Sequence, residues 1–256
     1  MKKLMRKTYT LFRLILDAIL SFNGTKNAHF LSAEETIRQC ITRKKSIIRF
    51  GDGELNILRG LDVCYQCNHP ELMFLLKSVI QEYLKSPEIC PYVLCMPGDF
   101  LRGNGFKLLK RKAYFLSWPP SRRYFKQHFD LPVTYGDAFL FAIEYRNIYT
   151  KIWLNPDISH IIFVNSSEET SNEFKSTVFC QVTFVPIPNE NAFSQINGIL
   201  NEIKRRIKFV KQTETLVLPL IRATAFGIPY IKLFARNCKN IIHRKRKYKW
   251  DILNDF

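Results

Sequence analysis

Two carboxylates, Asp52 and Glu54, stand between glycines directly after an apolar run in the stretch SIIRFGDGELNILRG at residues 46–60. Gly51 and Gly53 leave both side chains room to converge on one point. Carboxylate oxygens suit Mg²⁺ or Mn²⁺, which keep waters and take further ligands from phosphates. Such an ion would neutralise a bound diphosphate and act as a Lewis acid when the diphosphate departs. The alternative is structural: an Asp-Gly turn, with Glu54 capping the helix that follows.

Strands and helices alternate around this turn. Two helices are indicated strongly: Ser32 and Glu35 form a capping-box pattern before an apolar stripe, and HPELMFLLKSVIQEYLKS carries a proline in its first turn. Short apolar runs predict the strands, at residues 46–50, 92–98, 138–143, 160–165, 182–188 and 215–220.

These apolar runs lack polar alternation, which indicates strands buried on both faces. We therefore expect an α/β fold, Rossmann-like, with a mainly parallel sheet flanked by helices in a single domain over residues 31–256. Ligands of such folds bind beyond the carboxyl ends of the strands, which is where the GDGE turn falls.

The composition predicts a globular, strongly basic protein. The chain has 256 residues, 46% of them hydrophobic, which suffices for a sizeable core. Its formal net charge of +17 favours contact with nucleic acid, an anionic membrane surface or a phosphorylated substrate. A run of charge can also be simply a solvated face.

Residues 1–30 form a separate N-terminal segment, which opens with MKKLMRKTYTLFRLILDAILSF. Arg13 and Asp17 interrupt the apolar core that a signal peptide would need, and the segment is too short and too charged to span a bilayer. Its apolar residues fall at helical spacing with cations at one end. The pattern fits either an interfacial membrane helix or an amphipathic helix packed on the domain.

Seven cysteines, an odd number without a secretory cleavage pattern, indicate reduced thiols in the cytoplasm. Cys64 and Cys67 form a C-x-x-C pair with His69 nearby, which raises the possibility of a zinc site. The next two cysteines, Cys90 and Cys95, have four residues between them in a predicted strand, so they do not complete a usual zinc pattern.

The motif RFGDGE at residues 49–54, followed by LRG, resembles the opening motif of the GT-D-fold glycosyltransferases, a bacterial family first known as a domain of unknown function. PNENAF at residues 188–193 resembles a second segment of that family. The resemblance covers about residues 31–256, and its carboxyl-terminal part rests on Thr224, Ala225, His243, Tyr248 and Trp250.

The resemblance implies metal-dependent transfer of a sugar from a nucleotide-sugar donor, in the first place a UDP-sugar. Asp52 and Glu54 would hold Mn²⁺ or Mg²⁺ at the donor diphosphate. His243 would be a third metal ligand or a phosphate contact and is the catalytic candidate. The residues expected to bind the donor are Arg49, Gly51, Gly53, Asn191 and Thr224.

Two segments depart from the family pattern. Arg222-Ala223 stands where the family has Gly-Pro, and NSSEETSNEF at residues 165–174 replaces a loop rich in glycine and arginine. Both fall at strand ends where donor contacts are expected, so they imply an altered donor or a loss of activity. No general base is identified, and the candidates by residue type alone are Asp99, Asp137, Glu144 and His243.

The function that we predict is glycosyl transfer in surface-glycan assembly, with a lipid-linked, polysaccharide or protein acceptor. Cations near anionic lipid favour a peripheral position at the inner face of the cytoplasmic membrane. The alternative is a basic nucleic-acid-binding protein, since aromatic and basic residues interleave at residues 111–129. No nucleic-acid-binding signature is visible, so nucleic acid is not expected as a partner. A metal-dependent phosphoesterase would need more His and Asp ligands near the motif.

Overall fold

The computed structural model describes residues 2–109, 118–156, 158–209 and 215–219. Thr224 and His243 therefore lie outside the described residues, as does the rest of the carboxyl-terminal motif. The strands are β1 (His29–Phe30), β2 (Ser46–Arg49), β3 (Tyr92–Met96), β4 (Thr134–Asp137), β5 (His160–Asn165), β6 (Gln181–Pro186) and β7 (Thr215–Pro219).

Ten α-helices are found among the described residues. They are α1 (Lys2–Leu20), α2 (Ala33–Thr42), α3 (Asp52–Leu58), α4 (Pro70–Lys85), α5 (Gly98–Arg102), α6 (Gly105–Leu109), α7 (Trp118–His128), α8 (Arg146–Trp153), α9 (Glu168–Lys175) and α10 (Ile196–Phe209). Short 3₁₀ turns at Ile143–Tyr145 and Ala192–Gln195 precede α8 and α10.

The described strands pair in parallel and form two sheets. One has the order β1-β4-β3-β2 and the other the order β6-β5-β7. Their registers include Ser46 opposite Tyr92 and His160 opposite Gln181. Parallel strands need crossover connections, and helices supply them here. The predicted α/β fold with parallel strands flanked by helices is confirmed.

Local sequence signals explain where the helices start. The Ser32 side chain accepts a hydrogen bond from the backbone N–H of Glu35, whose carboxylate accepts one from the N–H of Ser32, so the predicted capping box is present. Helix α4 begins at Pro70, and the His69 side chain caps it by accepting from the N–H of Glu71. NSSEETSNEF contributes helix α9, whose N-cap is Ser167.

The predicted strand at residues 138–143 is wrong. The strand at this place is β4, four residues earlier, and it includes Gly136. A Cβ at Gly136 would lie 2.6 Å from the Cys95 sulfur, so only glycine lets β4 approach β3 this closely. The carboxylate of Asp137 then accepts the N–H of Phe139, which turns the chain. Ala138 and Leu140 are buried without joining a sheet ladder.

The main core lies between β2, β3 and the helices α3, α4 and α7. Ile48, Leu94, Leu55 and Leu76 have no exposed surface. Phe193, which follows β6, packs in the same cluster. This contact ties the PNENAF segment to the half of the protein that carries the GDGE turn.

Candidate functional site

A cavity of about 270 Å³ opens at the carboxyl ends of β2, β3 and β4. Because parallel strands end at the same edge of a sheet, residues that follow three separate strands meet there. The lining residues are Arg49, Phe50, Gly51, Asp52, Gly53, Glu54, Tyr65, Pro97, Trp118, Ala138 and Phe139. The whole RFGDGE motif therefore lies at the edge where α/β folds bind ligands.

The two carboxylates of the motif have different environments. Asp52 begins α3 and is half-buried on the cavity wall, with one carboxylate oxygen accepting the N–H of Gly53 at 3.1 Å. Glu54 has no exposed surface. Its Oε2 accepts the N–H of Gly51 at 2.6 Å, and its Oε1 accepts the hydroxyl of Tyr65 at 3.4 Å. Glu54 thus caps α3, as the structural alternative predicted, and Asp52 is the more exposed acid.

Arg49, the last residue of β2, supplies positive charge to the cavity. Its Nε donates to the carbonyl oxygen of Ala138 at 2.5 Å, and its guanidinium lies 5.5 Å from the centre of the Phe141 ring. Burial lowers the pKa of Arg49, and the neighbouring carboxylates of Glu54 and Asp137 oppose this effect. The side chain is held in place by these contacts at the cavity wall.

Tyr65 reaches the cavity from the loop between α3 and α4. A Cβ on Gly53 would lie 2.0 Å from the Tyr65 hydroxyl. The Tyr65 side chain can therefore lie this close to the motif only because residue 53 is a glycine. The carbonyl oxygen of Tyr65 accepts the N–H of Asn191 at 2.9 Å. The Asn191 side-chain oxygen in turn accepts the N–H of Cys67 at 2.7 Å. These bonds hold the Tyr65 loop against the segment that follows β6.

Asn191 itself is not among the lining residues of the cavity. Its φ angle is 50°, a left-handed conformation that asparagine adopts more readily than other non-glycine residues. The Gln66 side-chain oxygen accepts the N–H of Phe193 at 3.2 Å, which adds a second link to the same segment. In the described structure the PNENAF segment therefore supports the loop that carries Tyr65.

Aromatic rings form another side of the cavity. Trp118 opens α7 and stacks on Phe100 with ring centroids 4.3 Å apart, and Phe100 also contacts Phe139 at 5.4 Å. Trp118 is buried, so its position depends on this packing and not on solvent-exposed contacts. Flat apolar faces beside a carboxylate and an arginine suit a ligand with both a ring and a charged group.

The described candidates for a general base, Asp99, Asp137 and Glu144, are not among the lining residues of the cavity. Asp137 ends β4 directly before the lining residues Ala138 and Phe139. Burial raises the pKa of Asp137 and the nearby Asp99 carboxylate acts in the same direction, against the hydrogen bond from the N–H of Phe139. Asp99 and Glu144 are exposed.

Asp52 fits a divalent cation better than Glu54 does. The described residues contain no group of three or more His, Cys, Asp or Glu placed to hold a metal ion. That statement includes Cys64, Cys67 and His69 of the zinc hypothesis. Mg²⁺ commonly binds through one or two carboxylates together with water and substrate phosphates. A half-buried Asp52 suits this mode, whereas both oxygens of Glu54 already accept protein hydrogen bonds.

The sequence placed Arg49, Gly51, Asp52, Gly53 and Glu54 at one site, and the structure brings all five to the cavity wall. The sequence analysis did not predict the lining residues Tyr65, Trp118 and Phe139. Tyr65 lies inside the C-x-x-C pattern that suggested zinc, and Phe139 lies inside the stretch predicted to be a strand. The only available signal for Tyr65 was its position in the loop directly after α3.

Comparison with known proteins finds one curated relative by sequence. No protein-family model matches the chain. The curated glycosyltransferase GlyD of Streptococcus pneumoniae serotype 4 is 24% identical over 194 residues, which cover 67% of this chain and 22% of GlyD. The chain thus matches less than a quarter of the length of that relative.

Solved structures share the fold. A DUF1792 glycosyltransferase from Streptococcus sanguinis superposes with a TM-score of 0.63 at 18% identity, over 82% of this chain and 78% of that one. A selenomethionine-substituted DUF1792 structure gives 0.62 at 20% identity, over 88% and 78%. Another DUF1792 structure, described as a distinct glycosyltransferase fold, gives 0.63 at 18% identity, over 86% and 77%. The chain therefore has the DUF1792 glycosyltransferase fold, as its motifs predicted.

Proposed function

We propose that the protein is a glycosyltransferase that moves a sugar from a nucleotide-sugar donor to a glycan acceptor. The observation that carries this proposal is the placement of the RFGDGE motif around a cavity at the carboxyl ends of three parallel strands. The fold shared with DUF1792 proteins and the partial match to GlyD support it. A nucleotide sugar contains rings and a charged diphosphate, and the cavity wall offers aromatic side chains for the rings and charged side chains for the diphosphate.

The donor diphosphate would lie at the Asp52 end of the cavity. Arg49 lines that end and supplies positive charge. The backbone of Gly51 and Gly53 lines it too, with the Gly51 N–H bound to Glu54 and the Gly53 N–H bound to Asp52. Asp52 would hold Mn²⁺ or Mg²⁺ together with the diphosphate oxygens. When bound, such an ion supplies charge neutralisation as the nucleoside diphosphate leaves.

The rings of Trp118, Phe139 and Tyr65 would take the other part of the donor. Trp118 and Phe139 both pack on Phe100, so their faces are already fixed before a ligand arrives. A preformed aromatic wall binds a planar or apolar face without the entropy cost of ordering side chains. The same aromatic wall would help to keep water away from the sugar during transfer.

Two parts of the site rest on the family resemblance alone. His243 would contact metal or phosphate and Thr224 the nucleotide, and both belong to the residues that the structure does not describe. The acceptor that we propose is a surface glycan, lipid-linked, polysaccharide or protein, with the enzyme at the inner face of the cytoplasmic membrane. A UDP-sugar is the first donor to test.

The test is a thermal-shift screen of UDP-, GDP-, dTDP- and CMP-sugars, each with Mn²⁺ and with a chelator, followed by measurement of donor hydrolysis. One donor should raise the melting temperature only with metal, and Asp52→Asn should abolish that shift. Glu88→Gln is the matched control, because Glu88 is 81% exposed and lies before β3, at the opposite edge of the sheet. If no nucleotide sugar stabilises the protein or is hydrolysed, the proposed reaction is wrong.

A further inference from the structure

Helix α1 presents its apolar side to solvent. Six large apolar side chains on it are between 49% and 65% exposed, namely Tyr9, Leu11, Phe12, Ile15, Ile19 and Leu20. At 100° per residue these positions cover one side of a helix. A helix that packs on a domain in the usual way would bury this side, so the exposed stripe needs an explanation.

The polar side of α1 is the one that faces the protein. Asp17 is only 5% exposed, and its carboxylate forms an ion pair with Arg123 of α7 at 2.7 Å. The Arg122 guanidinium donates to the carbonyl oxygen of Ser21 at 2.7 Å and also to that of Phe22. These contacts fix the rotation of the helix, because turning its apolar side inward would separate the buried Asp17 carboxylate from Arg123.

Positive charge is concentrated in the sequence at the start of α1, and Arg13 adds a cation beside the apolar stripe. The first two turns of α1 carry Lys2, Lys3, Arg6 and Lys7, and Arg13 lies 5.8 Å from the centre of the Tyr9 ring. The only acid of this helix, Asp17, is turned inward. The sequence of α1 therefore supplies cations and no second acid, and Arg13 lies on its exposed side.

The apolar surface continues past the end of the helix. Phe22 packs edge-on against Phe106 of α6 with ring centroids 4.9 Å apart, and Phe106 is 66% exposed. Lys107, next to Phe106, is also exposed. We call the exposed side of α1 together with Phe106 the α1 surface.

We propose that the α1 surface binds an anionic phospholipid bilayer, with α1 lying in the interface plane. Exposed apolar residues on one side of a helix, bordered by Lys and Arg, are the features of interfacial helices. Among the described residues no helix is long and apolar enough to span a bilayer. A second copy of the chain fits less well, because its own net charge of +17 would oppose the approach.

The α1 surface is joined rigidly to the wall of the cavity. Arg122, which holds Ser21 at the end of α1, also donates to the carbonyl oxygen of Phe100, and the Phe100 ring stacks on Trp118. Membrane contact would therefore hold the cavity at a fixed orientation to the lipid. This consequence rests on the proposed function and favours a lipid-linked acceptor, whereas lipid binding itself does not depend on the reaction.

The test is flotation of the whole protein with vesicles of phosphatidylcholine alone and of phosphatidylcholine with phosphatidylglycerol. We expect binding only to the anionic vesicles, weakened by salt. The double variant Leu11→Ser/Ile15→Ser should bind at least about ten-fold more weakly, because each exposed apolar side chain loses its burial in lipid. The matched control is Phe74→Ser/Ile89→Ser, since these side chains are 68% and 78% exposed on other surfaces.

Point substitutions are preferable to deleting residues 1–22, because Asp17 and Ser21 belong to the folded body. Unchanged thermal unfolding of both variants would show that the fold is intact. Absence of binding to anionic vesicles would overturn the proposal, as would equal loss in both variants. A dimer that the Leu11→Ser/Ile15→Ser change dissociates, without lipid binding, would identify a second copy as the occupant. Donor hydrolysis in solution, measured separately, distinguishes failure of this proposal from failure of the proposed reaction.

Discussion

The carboxylate of Glu54 accepts the backbone N–H of Gly51 at 2.6 Å, so the second acid of the GDGE motif closes the turn that presents the first. Glu54→Ala should lower the free energy of unfolding by about 2 kcal/mol, because it leaves the Gly51 N–H and the Tyr65 hydroxyl without this acceptor. Asp52→Asn should stay within about 0.5 kcal/mol of the parent protein. Urea unfolding without ligand measures both.

The same two variants divide structural from ligand-binding roles. Asp52→Asn should lose metal-dependent donor binding although its stability is unchanged. Glu54→Gln keeps a carbonyl acceptor for Gly51 and should be less damaging than Glu54→Ala. If Glu54→Ala were fully stable and lost only the metal dependence, Glu54 would be a metal ligand and its capping role would be wrong.

Gly53 and Tyr65 should depend on each other. A Cβ at Gly53 would lie 2.0 Å from the Tyr65 hydroxyl but 3.2 Å from ring carbon Cζ. Gly53→Ala should therefore destabilise the protein by about 1–2 kcal/mol and weaken donor binding. Tyr65→Phe removes the clashing oxygen, so the double variant should recover part of both losses in a double-mutant cycle.

Gly198 provides the control for this cycle. A Cβ there meets nothing within 4 Å, and the residue lies in α10. Gly198→Ala should stabilise the protein by about 0.5–1 kcal/mol, because alanine loses less conformational entropy in a helix.

Additive effects of Gly53→Ala and Tyr65→Phe would show that the two side chains do not compete for one space.

Asn191 should act through its backbone as well as its side chain. Asn191→Gly removes only the acceptor for the N–H of Cys67, whereas Asn191→Ala also forces alanine to φ 50°. The free energy of unfolding of the Asn191→Ala variant should therefore be about 1 kcal/mol lower than that of the Asn191→Gly variant. Both variants should weaken donor binding because the Tyr65 loop loses a support. Asn189→Ala, an exposed neighbour, is the control, and an equal loss there would contradict this role.

The sequence predicted best those features that local rules determine. The capping box of Ser32 and Glu35 and the strand at 160–165 were both predicted correctly. The residues of the first motif lie together at one cavity, since strand ends in a parallel sheet meet at the edge where ligands bind. The two roles of Asp52 and Glu54 could not be separated by spacing, since the difference is one of burial.

Long-range packing decided the features that the sequence missed. Residues 138–143 are as apolar as the correctly predicted strands, and only the close contact of Gly136 with Cys95 shows why β4 comes earlier. Trp118 is brought to the cavity by Phe100, far from the motif in sequence. The outward apolar side of α1 depends on the ion pair of Asp17 with Arg123, which joins residues 106 positions apart.

Asp130 should make the attachment of α1 sensitive to acid. Its carboxylate accepts the N–H groups of Lys26, Asn27 and Ala28, which connect α1 to β1, at 2.9–3.0 Å. Burial alone would raise the pKa of Asp130, but these hydrogen bonds and Lys126 together lower it. A lowered pKa contributes stability that is complete above the ordinary value of about 4 and is lost as the pH falls through the folded value.

Urea unfolding at several pH values, with the parent protein beside Asp130→Asn, measures this contribution. The parent should be the more stable at pH 7, and the difference should shrink as the pH falls below about 4, where the carboxyl of the parent becomes protonated. An amide cannot titrate, so the variant lacks this part of the acid dependence. A difference that stayed constant from neutral to acid pH would show that Asp130 holds residues 26–28 without the help of its charge.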